Sequence, residues 1–489
     1  MPRVPRRYDK SALGISLLAL SGSTMGALAI AAPGPAFGAA QEGVPSVAPR
    51  RMSKLHSPPA VNEDLAAELA RLKVQIDAQA IEIARLYAAG DRDWIDEQRA
   101  AEIKALVQDV LADADLRASL VQDGLTAGYD KHFFIGSADG NFLLQLYMKL
   151  QTRFVYNHRD AAPGEDRERW GFEQRRTELY WNGHVISPDL TYKVKIAASR
   201  SGGSIRLDDA IIGYRLNDVW KVDVGQFKVP FLREFLMSSG RQQAVERSYI
   251  NHVFNANRSQ GIQLKYGADR WTAMAMVHDG TGAKNSAFAS DRTDLALAAR
   301  GEFLLAGEWS QFKDFASWRD EELGLLLGAA VDYEVGETGF GTDTADLLKY
   351  TVDLGAEFGG WNLFAAFVGQ HVQYNGSAGF TDADQFAFLV QGGVFVIPDK
   401  MDVFGRYEHL DLDGVLYNAA VSSMTPVADD KINLVTVGMN YYFKKHTVKL
   451  TTDLVWVLDP LPDSHTGAGL LRSSEDDQFV FRTQIQLMF

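Results

Sequence analysis

The chain has 489 residues, with 63 Asp and Glu against 49 Lys and Arg for a formal net charge of −14, and it contains no cysteine. Mean hydropathy is −0.15, and beyond its first forty residues no segment reaches the ~20 continuous apolar residues that a bilayer-spanning helix requires, which excludes a helical membrane protein. The lack of cysteine suits a chain that crosses an oxidising compartment, and basic residues without interleaved aromatics make no case for nucleic acid.

Arg3, Arg6, Arg7 and Lys10 precede an apolar stretch from Ala12 to Ala32, and Gly38, Ala39 and Ala40 suit cleavage before Gln41, so residues 1–40 read as an export signal. Asp9 stands where a twin-arginine signal prefers an apolar residue, which favours the general secretory type. Residues 41–61, rich in Pro, Ser and Ala with Arg50, Arg51 and Lys54, read as a tether. Within 62–125, Leu65, Leu69, Leu72, Ile76, Gln79, Ile83 and Leu86 step alternately by four and three. This is a heptad seam, in which the polar Gln79 trades stability for register. A lone helix packed on its own chain would show the same pattern. Ile103, Leu106, Val107, Val110 and Leu111 mark a second amphipathic helix before Gly124.

From Phe142 the period becomes two, and sixteen segments follow, the first at 142–156, the fifth and sixth at 220–228 and 260–268, and the last at 478–489. In the first, Phe142, Leu144, Leu146, Met148, Leu150 and Phe154 share one face and Gln145, Tyr147, Lys149, Gln151 and Arg153 the other. Lipid is expected on the former and water on the latter. The last places Phe479, Phe481, Ile485, Leu487 and the terminal Phe489 on one side, as a closing barrel strand would. Tyr441, Tyr442, Phe443 and Trp456 fall near strand ends, where interfacial girdles form. Short turns such as Asn217-Asp218, Gly359-Gly360 and Lys444-Lys445 alternate with long connections. The reading is therefore all-β: a 16-stranded antiparallel transmembrane β-barrel over residues 126–489 in the outer membrane, preceded by a periplasmic α-helical coiled-coil segment. A soluble sandwich also alternates, but without this asymmetry between rims. The connection Ala306–Glu321 is long yet falls on the short-turn rim, so either it is a periplasmic excursion or the strand count fails there.

Gly225-Gln226-Phe227-Lys228-Val229-Pro230-Phe231, then Glu234, Leu236, Ser238, Ser239, Glu246-Arg247-Ser248, Arg258 and Gly261 form the most informative stretch. Together with Phe172, Arg175-Arg176, Gly183, Asp209-Ala210 and the later Thr436-Val437-Gly438-Met439-Asn440-Tyr441-Tyr442, it resembles the phosphate-selective porins O and P. The resemblance covers about Phe142 to Phe489, and the heptad seam before the barrel is also seen in members of that family. It implies a sixteen-stranded barrel, commonly trimeric, whose third loop, here Lys228 to Ser259, folds into the lumen and makes the constriction. Pro230 cannot continue a ladder, and Leu232 to Met237 has helical composition.

Charge is unevenly spread. Residues 142–258 hold eighteen Lys and Arg against thirteen Asp and Glu, whereas 259–489 hold sixteen against thirty-two. Lys149, Arg153, Arg176, Lys193, Lys195 and Lys221 fall on the expected lumen parity, and Lys228, Arg233, Arg241, Arg247 and Arg258 lie on or beside the third loop. These eleven are the candidate pore-lining residues, because cations at a low-dielectric neck concentrate anions and replace part of their hydration. Glu178, Asp209 and Asp223 share those faces, so a merely polar lumen of both signs fits as well.

No HExxH spacing, Gly-rich phosphate cradle or nucleophile elbow is present, and Asp208-Asp209 and Asp476-Asp477 lack the oxygen spacing of a calcium loop; no enzyme, cofactor or metal is expected. The expected partners are outer-membrane lipid, a small anion such as phosphate, two further copies in a homotrimer, and the cell wall through the stem. The alternatives are a general or cation-preferring porin and a structural envelope protein that uses the barrel as an anchor.

Overall fold

The computed structural model describes residues 71, 73–81, 84–85, 104, 124–160, 166–288, 293–340, 343–375, 382–412, 415–418, 423–426, 431–473 and 475–489. Residues 73–81 are helical, with Val74 and Ile81 of that stretch exposed. The export signal, the tether, the rest of the heptad seam and the apolar residues of the second amphipathic helix lie outside the described residues.

The strands are β1 (Leu125–Asp130), β2 (His132–Ser137), β3 (Leu143–His158), β4 (Glu168–Val185), β5 (Ser187–Ala198), β6 (Ile205–Arg215), β7 (Trp220–Lys228), β8 (Arg258–Gly267), β9 (Trp271–His278) and β10 (Leu295–Ala306). They continue as β11 (Gly324–Phe340), β12 (Asp343–Phe358), β13 (Trp361–Asn375), β14 (Ala383–Ile397), β15 (Met401–Asp411), β16 (Val415–Asn418), β17 (Ser423–Pro426), β18 (Lys431–Lys444), β19 (Val448–Val457) and β20 (Gln478–Met488). Each barrel strand is antiparallel to its neighbour, and β20 returns to pair with β3 from Phe479↔His158 to Met488↔Lys149. Closure leaves a ring of sixteen strands, β3–β15 with β18–β20, while β1 and β2 extend the same sheet and β16 and β17 form a separate hairpin. Closing the ring removes every sheet edge that lipid cannot satisfy.

Two departures from strict period-two reading matter for function. The β1–β2 hairpin pairs with β3 through Phe133↔Leu146 to Gly136↔Leu143, covering the part of β3 that lies below the end of β20. The connection at 307–323 is a true excursion, and the strand count on either side of it stands. It turns inward, burying Trp309, Phe312, Phe315 and Trp318, with Phe315 O accepting from Asn362 at 2.5 Å and Glu322 O from Gln311 at 2.7 Å.

Burial alternates along β10, β14, β15 and β19, and the exposed members face outward. The inward face is not uniformly wet, which corrects the expectation of water on it. Ala298, Phe364, Val368, Ala387, Leu389, Leu410, Ile432, Leu434, Val455 and Val457 join one dry cluster with Phe231, Phe235, Tyr249, Val253 and Phe254 of the loop that follows β7. Fully burying an aromatic of this size stabilises by roughly 2–3 kcal/mol, so the loop packs firmly against the β10–β19 side of the lumen.

Candidate functional site

Three residues before β7 ends and the third loop begins, the strand holds a position that only glycine fills. Gly225 has φ +129°, and a Cβ there would stand 2.1 Å from the carbonyl oxygen of Ala210. Val229 N donates to Asn257 O at 3.0 Å and closes the loop's base. Between them lie helix α1 (Arg233–Leu236), a 3₁₀ turn (Ser239–Arg241) and helix α2 (Tyr249–Phe254). Acids hold this backbone in place. Glu408 accepts Tyr249 N at 2.5 Å and Ile250 N at 3.2 Å, Asp453 accepts Val245 N at 2.9 Å, and Glu234 accepts Ser248 N at 2.7 Å. The Ser248 hydroxyl caps α2 by accepting Asn251 N at 3.0 Å.

On its other side the loop faces the β3–β6 wall across a cavity of about 600 Å³. Eleven basic residues line that cavity against three acids. Glu178 lies 2.6 Å from Lys149 and 3.0 Å from Lys195, Asp208 2.9 Å from Lys195, and Asp209 2.8 Å from Lys193 and 2.6 Å from Arg258. Three carboxylates cannot neutralise eleven cations. Lys228 donates instead to the carbonyls of Phe235, Leu236 and Met237 at 2.5, 3.1 and 3.2 Å. Arg247 donates to Glu234 O and Met237 O at 2.9 and 2.8 Å, and burial together with the nearby Arg176 pushes it down to about 10. Arg206 and Lys284 line the cavity with no ion pair among the described residues, although Asp208 acts on Lys284 from the same cavity.

Of the eleven residues expected at the pore, the structure brings Lys149, Arg176, Lys193, Lys195, Lys228, Arg247 and Arg258 to the cavity. Arg153, Lys221, Arg233 and Arg241 lie off it. Arg153 is spent on Glu246 at 2.9 Å and on the carbonyl of Gly467 at 2.9 Å. Lys221 pairs with Asp223 at 3.1 Å. Arg233 turns the opposite way, to Glu302 at 3.0 Å and Phe312 O at 2.7 Å, and so ties the third loop to the inward excursion. Arg241 sits half-buried on the 3₁₀ turn.

Four basic liners were missed: Arg175, Arg200, Arg206 and Lys284. Gln151 pairs with Arg176 and Thr152 with Gln174, so Arg175 is an extra residue that strict alternation sends to the wrong face. The same device on β6, where Lys195 pairs with Asp209 and Ile196 with Leu207, lets both Asp208 and Asp209 point inward. The paired arginines Arg175-Arg176 and the paired acids Asp208-Asp209 were the sequence signal for such bulges. Arg200 and Lys284 lie in loops and Arg206 at a strand end, where parity says little.

Glu246 stands just behind the cavity, 2.6 Å from Arg175, 2.7 Å from Arg176 and 2.9 Å from Arg153. Burial alone would raise its pKa, but these three guanidiniums hold it well below the usual carboxylate range. His278, Asp332 and Glu334 come close enough for a metal ion. However, Lys349 lies 3.4 Å from Glu334 and 3.7 Å from Asp332, and its ammonium already supplies the positive charge there.

A family model described as "Phosphate-selective porin O and P" matches residues 147–489. The chain belongs to that family. Membership accords with the sixteen-stranded outer-membrane barrel, and it places the chain among channels rather than enzymes. An anion-selective porin from Comamonas acidovorans shares the fold with TM-score 0.50 and 14% identity, covering 71% of this chain and 99% of that one. OmpT of Vibrio cholerae aligns with TM-score 0.46 and 14% identity over 71% of this chain and 98% of its own. An uncharacterised protein of Aquifex aeolicus is 24% identical over 294 residues, 56% of this chain, which spans 65% of that relative's length.

Proposed function

We propose that this member of the phosphate-selective porin O and P family is a passive channel for small anions, phosphate among them. The solute passes between the third loop and the β3–β6 wall. The observation that carries this is the cavity itself, with eleven basic liners against three acidic ones. A neck where cations outnumber acids raises the local anion concentration, and its N–H donors replace hydration that the ion gives up. The net charge of −14 does not oppose this, because many late-strand acids are consumed in holding the loop and the closing strand.

Three copies assemble through the barrel walls, and the stem from Leu65 steadies or positions the trimer beneath the membrane, in contact with the cell wall. Both statements rest on the family and on the heptad seam. The test of solute is conductance in chloride while phosphate is titrated in. Block of chloride current by phosphate is expected, and unchanged current would reduce the reading to a general porin. Deleting residues 41–127 should leave conductance intact while removing any effect of the stem on the envelope.

A further inference from the structure

A second contact between loops lies apart from the basic cavity. Helix α2 meets the 458–477 loop, which folds inward on carbonyl anchors. Ala468 O accepts from Arg482 at 2.7 Å and Gly469 O from Asn157 at 2.8 Å. There His465 stands edge-on to Tyr249, with ring centroids 4.9 Å apart, and 5.3 Å from the ring of His252. The Nε2 atoms of both histidines and the Tyr249 hydroxyl are buried without a hydrogen-bond partner. Leaving such atoms dry costs roughly 1–3 kcal/mol each, and three of them meet at this one contact.

The electrostatics point the same way. Asp463 acts on both Tyr249 and His465. Burial pushes His465 down to about 4 against the pull of Asp463. Burial and then the neighbouring imidazole hold His252 well below its usual range, with Glu246 opposing and Arg175 and Arg247 reinforcing. Imidazole ligates a metal through a free ring nitrogen, and the Nε2 of each ring is unengaged here.

We propose that His252 and His465 form a two-histidine site for a first-row transition-metal dication such as Zn²⁺ or Ni²⁺, with the Tyr249 hydroxyl beside it. Imidazole nitrogen suits these ions, whereas Mg²⁺ and Ca²⁺ demand cages of oxygen. Neither histidine lines the basic cavity, so the site is separate from the anion path. A bound ion staples the third loop to the loop that joins β19 to β20. His278 differs: its Nε2 faces Asp332 at 3.0 Å and its Nδ1 accepts Gly280 N at 3.2 Å, so both of its nitrogens are engaged.

The test is calorimetric titration of ZnCl₂, and separately NiCl₂, into the untagged mature protein in detergent at about neutral pH. Resistance of the folded barrel to SDS serves as the control for folding. One dication per chain is expected. His465→Gln, a loop substitution, should weaken binding by roughly tenfold or more. The double variant His252→Gln/His465→Gln should abolish it, while His278→Gln should leave it unchanged and excess MgCl₂ should not compete. Absence of binding to the parent protein, equal binding by the double variant, or loss with His278→Gln would each overturn the proposal.

Discussion

Arg482 of β20 and Asp453 of β19 face each other across the last two strands, Nε to Oδ1 at 2.7 Å and Nη2 to Oδ2 at 2.8 Å, with both side chains sealed from water. The same carboxylate accepts Val245 N of the third loop. One acid thus binds β20, the strand that closes the barrel on β3, to the element that narrows it. Glu408 does likewise at the start of α2, and Asp402 binds Gln243 at 3.2 Å. The acid-rich second part of the chain builds the support of the channel, and the base-rich first part builds its face.

Removing one partner of such a buried pair is expected to be costly. Asp453→Ala leaves Arg482 charged and dry and should destabilise by about 3–5 kcal/mol. The temperature at which the folded form converts to the unfolded one on SDS gels should drop. Glu408→Gln, which keeps the shape but loses the charge, should cost about 1–2 kcal/mol and raise current noise in single channels as the loop loosens.

Arg206 and Lys284 bear charge on the cavity without supporting the fold. Arg206→Gln and Lys284→Gln should each lower anion preference in reversal-potential measurements, and together more so, with stability changed by no more than about 0.5 kcal/mol. Lys195→Met should behave differently. It strips Asp208 of its ion-pair partner and Glu178 of one of two and should cost yield as well as selectivity.

At Gly225 the backbone is left-handed and the Ala210 carbonyl is too close for a side chain. Gly225→Ala should therefore disturb the β6–β7 pairing where the third loop begins, by more than the ~1 kcal/mol expected of an ordinary glycine replacement. Refolding into detergent, followed by gel shift, should show a reduced folded fraction.

Glu321 sits in the inward excursion, where it accepts Trp318 N at 2.8 Å. Burial, with Asp314 and Asp399 adding to it and Lys445 opposing, raises it to about 7. A carboxyl raised on folding favours the folded loop when protonated, so that contribution is full below the ordinary glutamate range and fades as pH rises through 7. Amide exchange of residues 309–318 should accelerate between about pH 5 and 8 beyond the intrinsic base-catalysed rate, and Glu321→Gln should flatten that excess.

The strands were legible because lipid enforces period-two alternation on the outer face, and Leu144, Leu146 and Met148 obey it without exception. Alternation tells which side a residue is on but not whether that side is wet. Ala387 and Leu389 on β14 therefore gave no warning that the third loop would lie against them. Pro230 and the helical composition of Leu232 to Met237 announced the loop, while its depth depended on aromatic packing with residues far along the chain. Arg175 was lost to a bulge, and Lys284 to a loop with no period at all. Arg153 had the right parity and the wrong company, since Glu246 approaches it from a segment 93 residues away.

The measurement that bears most directly on the account is the reversal potential of the mature protein in a planar bilayer under a potassium chloride gradient. The basic cavity between the third loop and the β3–β6 wall predicts a potential on the chloride side of zero, moving toward zero in the Arg206→Gln/Lys284→Gln variant. A potential on the potassium side, or one that the double substitution leaves unmoved, would contradict it.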